Sequence, residues 1–509
     1  MTRKTERWFA IGLILVYIIA LTTPFVYAFG MENQEVVFGG FLINPIDNNS
    51  YLTKMRQGYN GNWLFTLPYT ADSGEGTAIN LYYIFLGHVA RAAQFSLIFT
   101  FHLARVVGAL LLAIALYGLV SSMVEQSSTR MFALGLVLFG SGLGWLAILI
   151  GLLTSDFWVT EAYPFLAGLA NPHFTIGLAL QVWLLTPVAR ATPSAFMKVS
   201  TFLAVFLLSV IYLFGWLVTA SVLGAWTLWK LYLKSAQRED WQRLLLVGVA
   251  GAPYAFYAWW TVNHHAALAQ WNAQNVTPAP SPLDLLISLS PALILALLAI
   301  PGIFKSKETR FQFLLIWLFV DLLLVYSPLN LQRRLISGIF VPVALLAVHW
   351  IHGSSARSRI SFLVLFILSI PTNILILTGA LQAVAANAPQ LTIYQPELAA
   401  FSWLEESAPP GSLVLAGPET GLLIPAYTDA RVVYGHPFET VNAESKKSDV
   451  TEFFSGQLTS VETISYLQSE GIDYLFYGPR EREIGLLPEI PGWAEIVSFK
   501  DVVIWGAVQ

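Results

Sequence analysis

Only 11% of the 509 residues are charged, so carboxylates and guanidinium groups that gather on polar stretches stand out. NPIDNNSYLTKMRQG at 44–58 carries Asp47, with Lys54 and Arg56 further along. SDFWVTEAYPF at 155–165 carries Asp156 and Glu161, and NPHF at 171–174 adds His173. SPLNLQRRL at 327–335 contains the adjacent Arg333 and Arg334. A carboxylate can take the proton of a hydroxyl as it attacks. A guanidinium pair can grip a phosphate bidentately and stabilise negative charge developing on it.

The elements that hold these groups are set by composition. The chain is 56% hydrophobic, whereas ordinary soluble domains run near 25% charged. A nucleic-acid-binding chain would need far more charge. The absence of cysteine removes disulfides, thiol nucleophiles and Cys-ligated zinc. A polytopic α-helical membrane protein remains. Crossing a hydrocarbon core takes roughly 20 apolar residues. That criterion predicts eleven spans, at about 9–29, 97–119, 131–153, 172–189, 199–213, 215–233, 244–262, 283–300, 311–327, 335–350 and 360–383. The long run 199–233 is divided near Leu213 to Gly215. The first run follows MTRKTER and is read as a helix, since no convincing small-residue cleavage site follows it.

Charge separates two environments. Residues 384–509 hold 17 acidic against 6 basic residues, while residues 1–383 hold 14 against 21. With a cytoplasmic N-terminus, inner segments take 15 of those 21 basic residues, among them Arg130, Arg190, Lys230, Lys307, Arg310 and Arg357, as the positive-inside rule requires. The exceptions are Lys54, Arg56, Arg91, Arg105, Arg333 and Arg334. An odd span count puts the acidic tail outside the plasma membrane, beside the loops 30–96, 154–171, 263–282 and 328–334.

These outer segments set the chemistry. Asp156 and Glu161 sit at a membrane boundary, where an unpaired carboxylate is costly. A donor with a lipid tail would stay in the bilayer while its headgroup meets the loops. Glycosyl transfer from a polyprenyl-phosphate sugar needs this arrangement, and a nucleotide sugar is not normally available outside. The bland readings stay open. Asp47 is either a base or an Asx-type loop residue after Pro45. Glu161 is either chemical or half of an ion pair, and Asp156 either chemical or a cap for the segment that follows it. Arg333 and Arg334 bind phosphate or snorkel. INLYYIFLGHVARAAQ, with His88 and Arg91, reads as an interfacial helix. His102 and Arg105, one turn apart in an apolar helix, line a donor headgroup or form a polar packing network. His173 meets a substrate hydroxyl or a helix end. Arg56, His88, Arg91, His102, Arg105 and His173 are the candidates for substrate contact. Adjacent His264 and His265 read as a loop or interfacial pair. TADSGEG, with Asp72 and Glu75, reads as a solvated turn.

A first helix followed by a long outer loop with an early Asp in NPIDNNSYLTKMRQG resembles the GT-C superfamily of integral-membrane glycosyltransferases. The closer likeness is to bacterial relatives of protein O-mannosyltransferases and the lipid A aminoarabinose transferase. The resemblance implies that Asp47 is the catalytic base, that Asp156 or Glu161 supplies a second acidic site, and that Arg333 and Arg334 bind the donor phosphate. It implies inversion at the anomeric carbon with polyprenyl phosphate leaving. The spacing of Asp156 and Glu161 departs from a strict Asp-x-Asp, so no cofactor is assigned and a divalent metal stays open. The expected partners are a polyprenyl-phosphate sugar, membrane lipids and an acceptor hydroxyl on a glycan, lipid or protein, with no nucleic acid. A transporter or a non-catalytic envelope scaffold is the alternative; transport would call for inverted repeats and midplane charges, of which Asp321 is the main instance.

From about 390 the pattern becomes that of a small α/β domain, giving the division 1–383 and 384–509. SLVLAG, RVVYG, IDYLFYG, AEIVSF and VVIWGAV read as strands, and FSWLEESAPPG and TSVETISYLQSEG as helices. GPETG and YGPRERE are glycine-containing turns, with PRERE either ordered against the membrane loops or on a solvated face. Acceptor recognition or shielding is the expectation for this domain.

Overall fold

The computed structural model describes residues 2–186, 195–306, 308–353 and 358–508. Arg190, Lys307, Arg357 and the Arg359 side chain, all in the inner basic set, lie outside the described residues. The chain divides into two compact units. One comprises Met1–Val26, His102–Tyr257 and Thr277–Gln382; the other comprises Tyr27–Phe101, Ala258–Val276 and Ala383–Gln509.

The first unit is helical and apolar, as a multi-pass membrane protein requires. Among the described residues, five helices of the chain are long and apolar enough to cross a membrane, or seven if each of two bent pairs counts once, against the eleven expected. They include α1 (Arg3–Gly30), Leu97–Met123, Arg238–His264, Gln332–Gly353 and Ile360–Ala385. Much of the difference lies in broken and short helices, though the unbroken 20-residue helix Leu213–Tyr232 also falls outside the count. The run expected at 131–153 splits into Ser127–Phe139 and Gly144–Ile150, bent by 45°. The run at 283–300 splits into Pro282–Leu289 and Ala292–Ser306, bent by 90°. The helix Pro172–Leu185 has only 14 residues. At 1.5 Å per residue it rises about 21 Å, short of a roughly 30 Å hydrocarbon core. The divided run 199–233 breaks at Tyr212, between Ala195–Ile211 and Leu213–Tyr232.

The second unit joins the segment after α1 to an α/β region. A short strand β1 (Val36–Phe38) pairs antiparallel with β2 (Thr392–Tyr394). The main sheet contains β3 (Leu413–Leu415), β4 (Arg431–Val432), β5 (Tyr474–Tyr477), β6 (Trp493–Phe499) and β7 (Val502–Ala507), in the order β4-β3-β5-β7-β6. β3 runs parallel to β4 and β5, and β7 antiparallel to β5 and β6. Alternation sends Val414 and Phe476 into one core and Leu413, Leu415 and Leu475 into another. The helix Ser460–Glu470 begins with a capping box: the Thr459 amide donates to Glu462, and Thr459 Oγ1 accepts from the Glu462 amide. PRERE is not solvated throughout. Arg480 and Glu481 are buried, and the Arg480 guanidinium donates to Glu397 and Glu419 and to the carbonyls of Pro389 and Thr392.

Two helices fill the early loop of this unit, α2 (Pro45–Tyr59) and α3 (Leu81–Ala93). They pack unusually closely. A Cβ on Gly58 would fall 2.0 Å from the Ile84 carbonyl oxygen, and one on Gly87 1.9 Å from that of Met55. Only hydrogen side chains allow that approach, and it fixes the helix that carries Asp47.

Candidate functional site

Within the second unit, the candidate base sits in the first turn of α2. Pro45 occupies the first helical position, where its missing N–H costs nothing and its φ suits the helix. Asn44 adopts a left-handed conformation and its side-chain amide donates to Asp47 Oδ2 at 2.6 Å. Asp47 Oδ1 lies 3.5 Å from His436 Nε2; the aspartate is about a quarter exposed and the histidine buried. Lower on the same helix face, Lys54 Nζ meets Glu439 Oε1 at 2.6 Å, with both side chains buried. Ser50 Oγ donates to the same oxygen at 2.6 Å. Burial works against charge on Glu439, but the Lys54 ammonium and then His436, with the hydrogen bonds from Lys54 and Ser50, hold its carboxyl below the usual carboxylate range. Positions 47, 50 and 54, spaced by three and four, share one side of α2.

The other early-loop candidates have packing partners. Arg56 donates to Glu405 at 2.8 Å and to the Ala426 carbonyl at 3.1 Å. His88 stacks on Trp63 with ring centroids 3.9 Å apart, and its Nε2 is 3.0 Å from the Asn62 carbonyl oxygen. A Cβ on Gly61 would meet Arg91 Nη1 at 2.8 Å, which places that guanidinium against the same turn. His265 caps the helix Ala266–Gln274 through the Leu268 amide, while His264 stacks on Trp260.

Within the first unit, the short turn Gln332–Ile336 presents both arginines. Arg334 Nη1 lies 3.8 Å from Glu161 Oε1. Glu161 is buried, its Oε2 accepts from Thr160, and among the described residues its Oε1 has no hydrogen-bond donor. The Arg333 guanidinium lies over the Trp158 ring at 4.8 Å, a cation–π arrangement. Glu161, Arg334 and Asp321 all act electrostatically on the Tyr212 hydroxyl, at the helix break. His173 packs on Phe174 and meets the edge of the Tyr212 ring at 6.3 Å. Glu161, Arg334, Tyr212 and His173 therefore form one neighbourhood.

Asp156 is engaged differently. Its Oδ2 accepts from the amides of Gly142 and Gly144 at 3.2 and 3.0 Å and from Thr372 at 2.9 Å, and its Oδ1 from Thr154 at 2.6 Å. Burial pushes this carboxyl up, against those hydrogen bonds. The carboxylate satisfies the backbone exposed where the helix at 127–150 breaks. Arg105, fully buried, donates to the carbonyls of Leu21 and Gly168 at 3.1 and 2.9 Å and to His102 Nδ1 at 3.3 Å, with Phe25 beneath it.

Among the described residues no three His, Asp or Glu side chains converge as a cation site. Glu161 faces an arginine and Asp156 faces amide and hydroxyl donors. These acidic residues do not fit a divalent cation.

His436, Glu439 and Tyr212 were not singled out by sequence. HPFET carries no recognisable motif, and its partners lie nearly 400 positions away.

The fold is that of the GT-C integral-membrane glycosyltransferases, with an α/β region at the C-terminal end. No family model and no curated protein matches the sequence. The oligosaccharyltransferase of Archaeoglobus fulgidus shares the fold with a TM-score of 0.59 and 13% identity, over 91% of this chain and 67% of that one. ArnT from Cupriavidus metallidurans aligns over 98% of both chains, with a TM-score of 0.52 and 13% identity. The mycobacterial arabinofuranosyltransferase AftD aligns with all of this chain, which spans 40% of its length, at 0.54 and 14%. ArnT has been solved bound to undecaprenyl phosphate, and the Archaeoglobus enzyme with an inhibitory peptide and a dolichol-phosphate.

Proposed function

We propose that the protein transfers a sugar from a polyprenyl-phosphate donor to a hydroxyl acceptor on the outer side of the membrane. The observation that carries this reading is Asp47: a partly exposed carboxylate, oriented by Asn44, in the loop after the first membrane helix of a GT-C fold. The lipid phosphates bound by two proteins of that fold support the donor class. In this reading the N-terminus is cytoplasmic and the α/β region extracytoplasmic.

Asp47 accepts the proton of the acceptor hydroxyl as its oxygen attacks the anomeric carbon from the face opposite the phosphate. The bond from that carbon to the phosphate oxygen breaks with inversion, and polyprenyl phosphate leaves with the electron pair. Arg333 and Arg334 bind the donor phosphate, and their guanidinium groups stabilise the charge it gains. Glu161 fixes Arg334, and Asp156 is a positioning residue that holds the broken helix. Arg56, His88 and Arg91 shape the early loop, His102 and Arg105 tie membrane helices together, and His173 supports the neighbourhood of Glu161. No metal takes part in this account.

The test is turnover by the purified protein in lipid nanodiscs with a panel of polyprenyl-phosphate sugars. Release of polyprenyl phosphate together with glycosylated product supports the reading, and no release from any donor in the panel overturns it.

A further inference from the structure

The segment from Gly435 to Thr440 makes a tight turn against α2. Thr440 Oγ1 accepts from the amides of Gly435 and His436 at 3.3 and 3.2 Å. His436 Nδ1 accepts from the amides of Phe438 and Glu439, both at 3.1 Å. Gly435 is pressed so closely that a Cβ there would lie 2.3 Å from the Gly421 carbonyl oxygen and 2.7 Å from the Tyr69 ring. Glu439, at the end of the turn, locks onto Lys54 of α2. The imidazole is thus held by its own turn, and the turn by α2.

Those bonds decide where the ring proton sits. Two N–H donors converge on Nδ1, so Nδ1 presents its lone pair and the proton is on Nε2. The ring therefore turns its Nε2–H toward Asp47 Oδ1, at 3.5 Å. Nε2 is buried and, among the described residues, has no hydrogen-bond partner at this distance. Catalytic hydrogen bonds are often long before substrate arrives and tighten in the reacting complex. Once that contact tightens, Asp47 has a donor at each oxygen: the Asn44 side-chain amide at Oδ2 and His436 at Oδ1.

We infer that His436 is a positioning residue for the base: its Nε2–H orients the Asp47 carboxylate toward the acceptor hydroxyl as a hydrogen-bond donor. This rests on the reading of Asp47 as the base. It gives the C-terminal α/β region a part in the chemistry, since that region supplies the donor.

Two substitutions separate orientation from folding. His436→Asn keeps an oxygen near the place of Nδ1, so the turn retains its acceptor, but puts nothing at Nε2. His436→Gln restores an N–H near Nε2 and removes the acceptor. With the nanodisc assay, His436→Asn is expected to lower kcat about tenfold, equivalent to about 1.4 kcal/mol, with KM for the donor within about twofold and an unchanged melting temperature. His436→Gln is expected to recover most of kcat while amide exchange at Phe438 and Glu439 speeds up. Wild-type turnover in His436→Asn, or equal loss of kcat in both variants, overturns the inference alone. Absence of lipid-phosphate release by the wild type overturns the glycosyltransferase reading and this inference with it.

Discussion

Replacing Glu439 with glutamine should loosen the turn that carries His436 away from the helix that carries Asp47. The side chains of Lys54 and Glu439 are 3% and 9% exposed, with 2.6 Å between the charged atoms. Glu439→Gln leaves the ammonium buried with Ser50 Oγ, an amide oxygen and the faces of Tyr51 and Phe65 at 5.0 and 5.5 Å. Removing one partner of a buried pair costs about 3–5 kcal/mol. The lower end applies here, because Glu439 Oε2 accepts no hydrogen bond from the described residues and the aromatic faces retain some attraction for the cation. About 3 kcal/mol corresponds to a roughly 150-fold rise in local opening. Hydrogen exchange of peptides covering 45–59 and 436–443 in nanodiscs would read it directly. The double variant Lys54→Met/Glu439→Leu removes both charges and should return to within about 1 kcal/mol of wild type. Acid should mimic the single substitution. The folded carboxyl titrates below its ordinary value, so the pair's contribution is complete above about pH 4.3 and is lost as pH falls through the lowered folded value. After correction for intrinsic exchange, wild type and Glu439→Gln should converge in strong acid. Equal protection in wild type and single variant at pH 7, or a double variant as open as the single one, would refute the reasoning.

Two other expectations concern the donor and the orientation. Arg333→Ala and Arg334→Ala should each weaken binding of a polyprenyl-phosphate sugar by about 10- to 100-fold, the worth of a charge-assisted hydrogen bond, measured by titration in nanodiscs. Because Arg334→Ala also leaves Glu161 unpaired, Arg334→Ala/Glu161→Gln should restore the melting temperature but not the affinity. The chain has no cysteine, so Val461→Cys, at a site 78% exposed, makes a single label site. A membrane-impermeant maleimide should modify it in intact cells; labelling only after lysis would reverse the proposed orientation.

Much of the fold was legible because its signals are local. Val414 and its neighbours alternate within a wholly apolar run, and Thr459 and Glu462 carry a capping box in their spacing. The overlong run 199–233 announced the break now seen at Tyr212 by length alone. The span count failed where local signals mislead: an apolar run scores the same whether or not a carboxylate such as Asp156 stabilises a break within it. The helix at 45–59 had a usable signal, Pro followed by Asp in a first turn, but its polar composition argued for a loop. The partners of Asp47 and Lys54 had none. His436 and Glu439 are ordinary residues in a short charged turn until the α/β region brings them against α2. Arg334 and Glu161 were each legible as unusual charges at the membrane edge, but their pairing was not.

The central claim is that the Asp47 carboxylate deprotonates an acceptor while a lipid phosphate departs. It is tested most directly by release of polyprenyl phosphate, with matching glycosylated product, from wild type and Asp47→Asn in the same nanodiscs. The account predicts stoichiometric release by the wild type and a loss of about 10²- to 10⁴-fold in kcat for the variant, the usual worth of a general base, with donor affinity retained. Turnover by Asp47→Asn at the wild-type rate would contradict it.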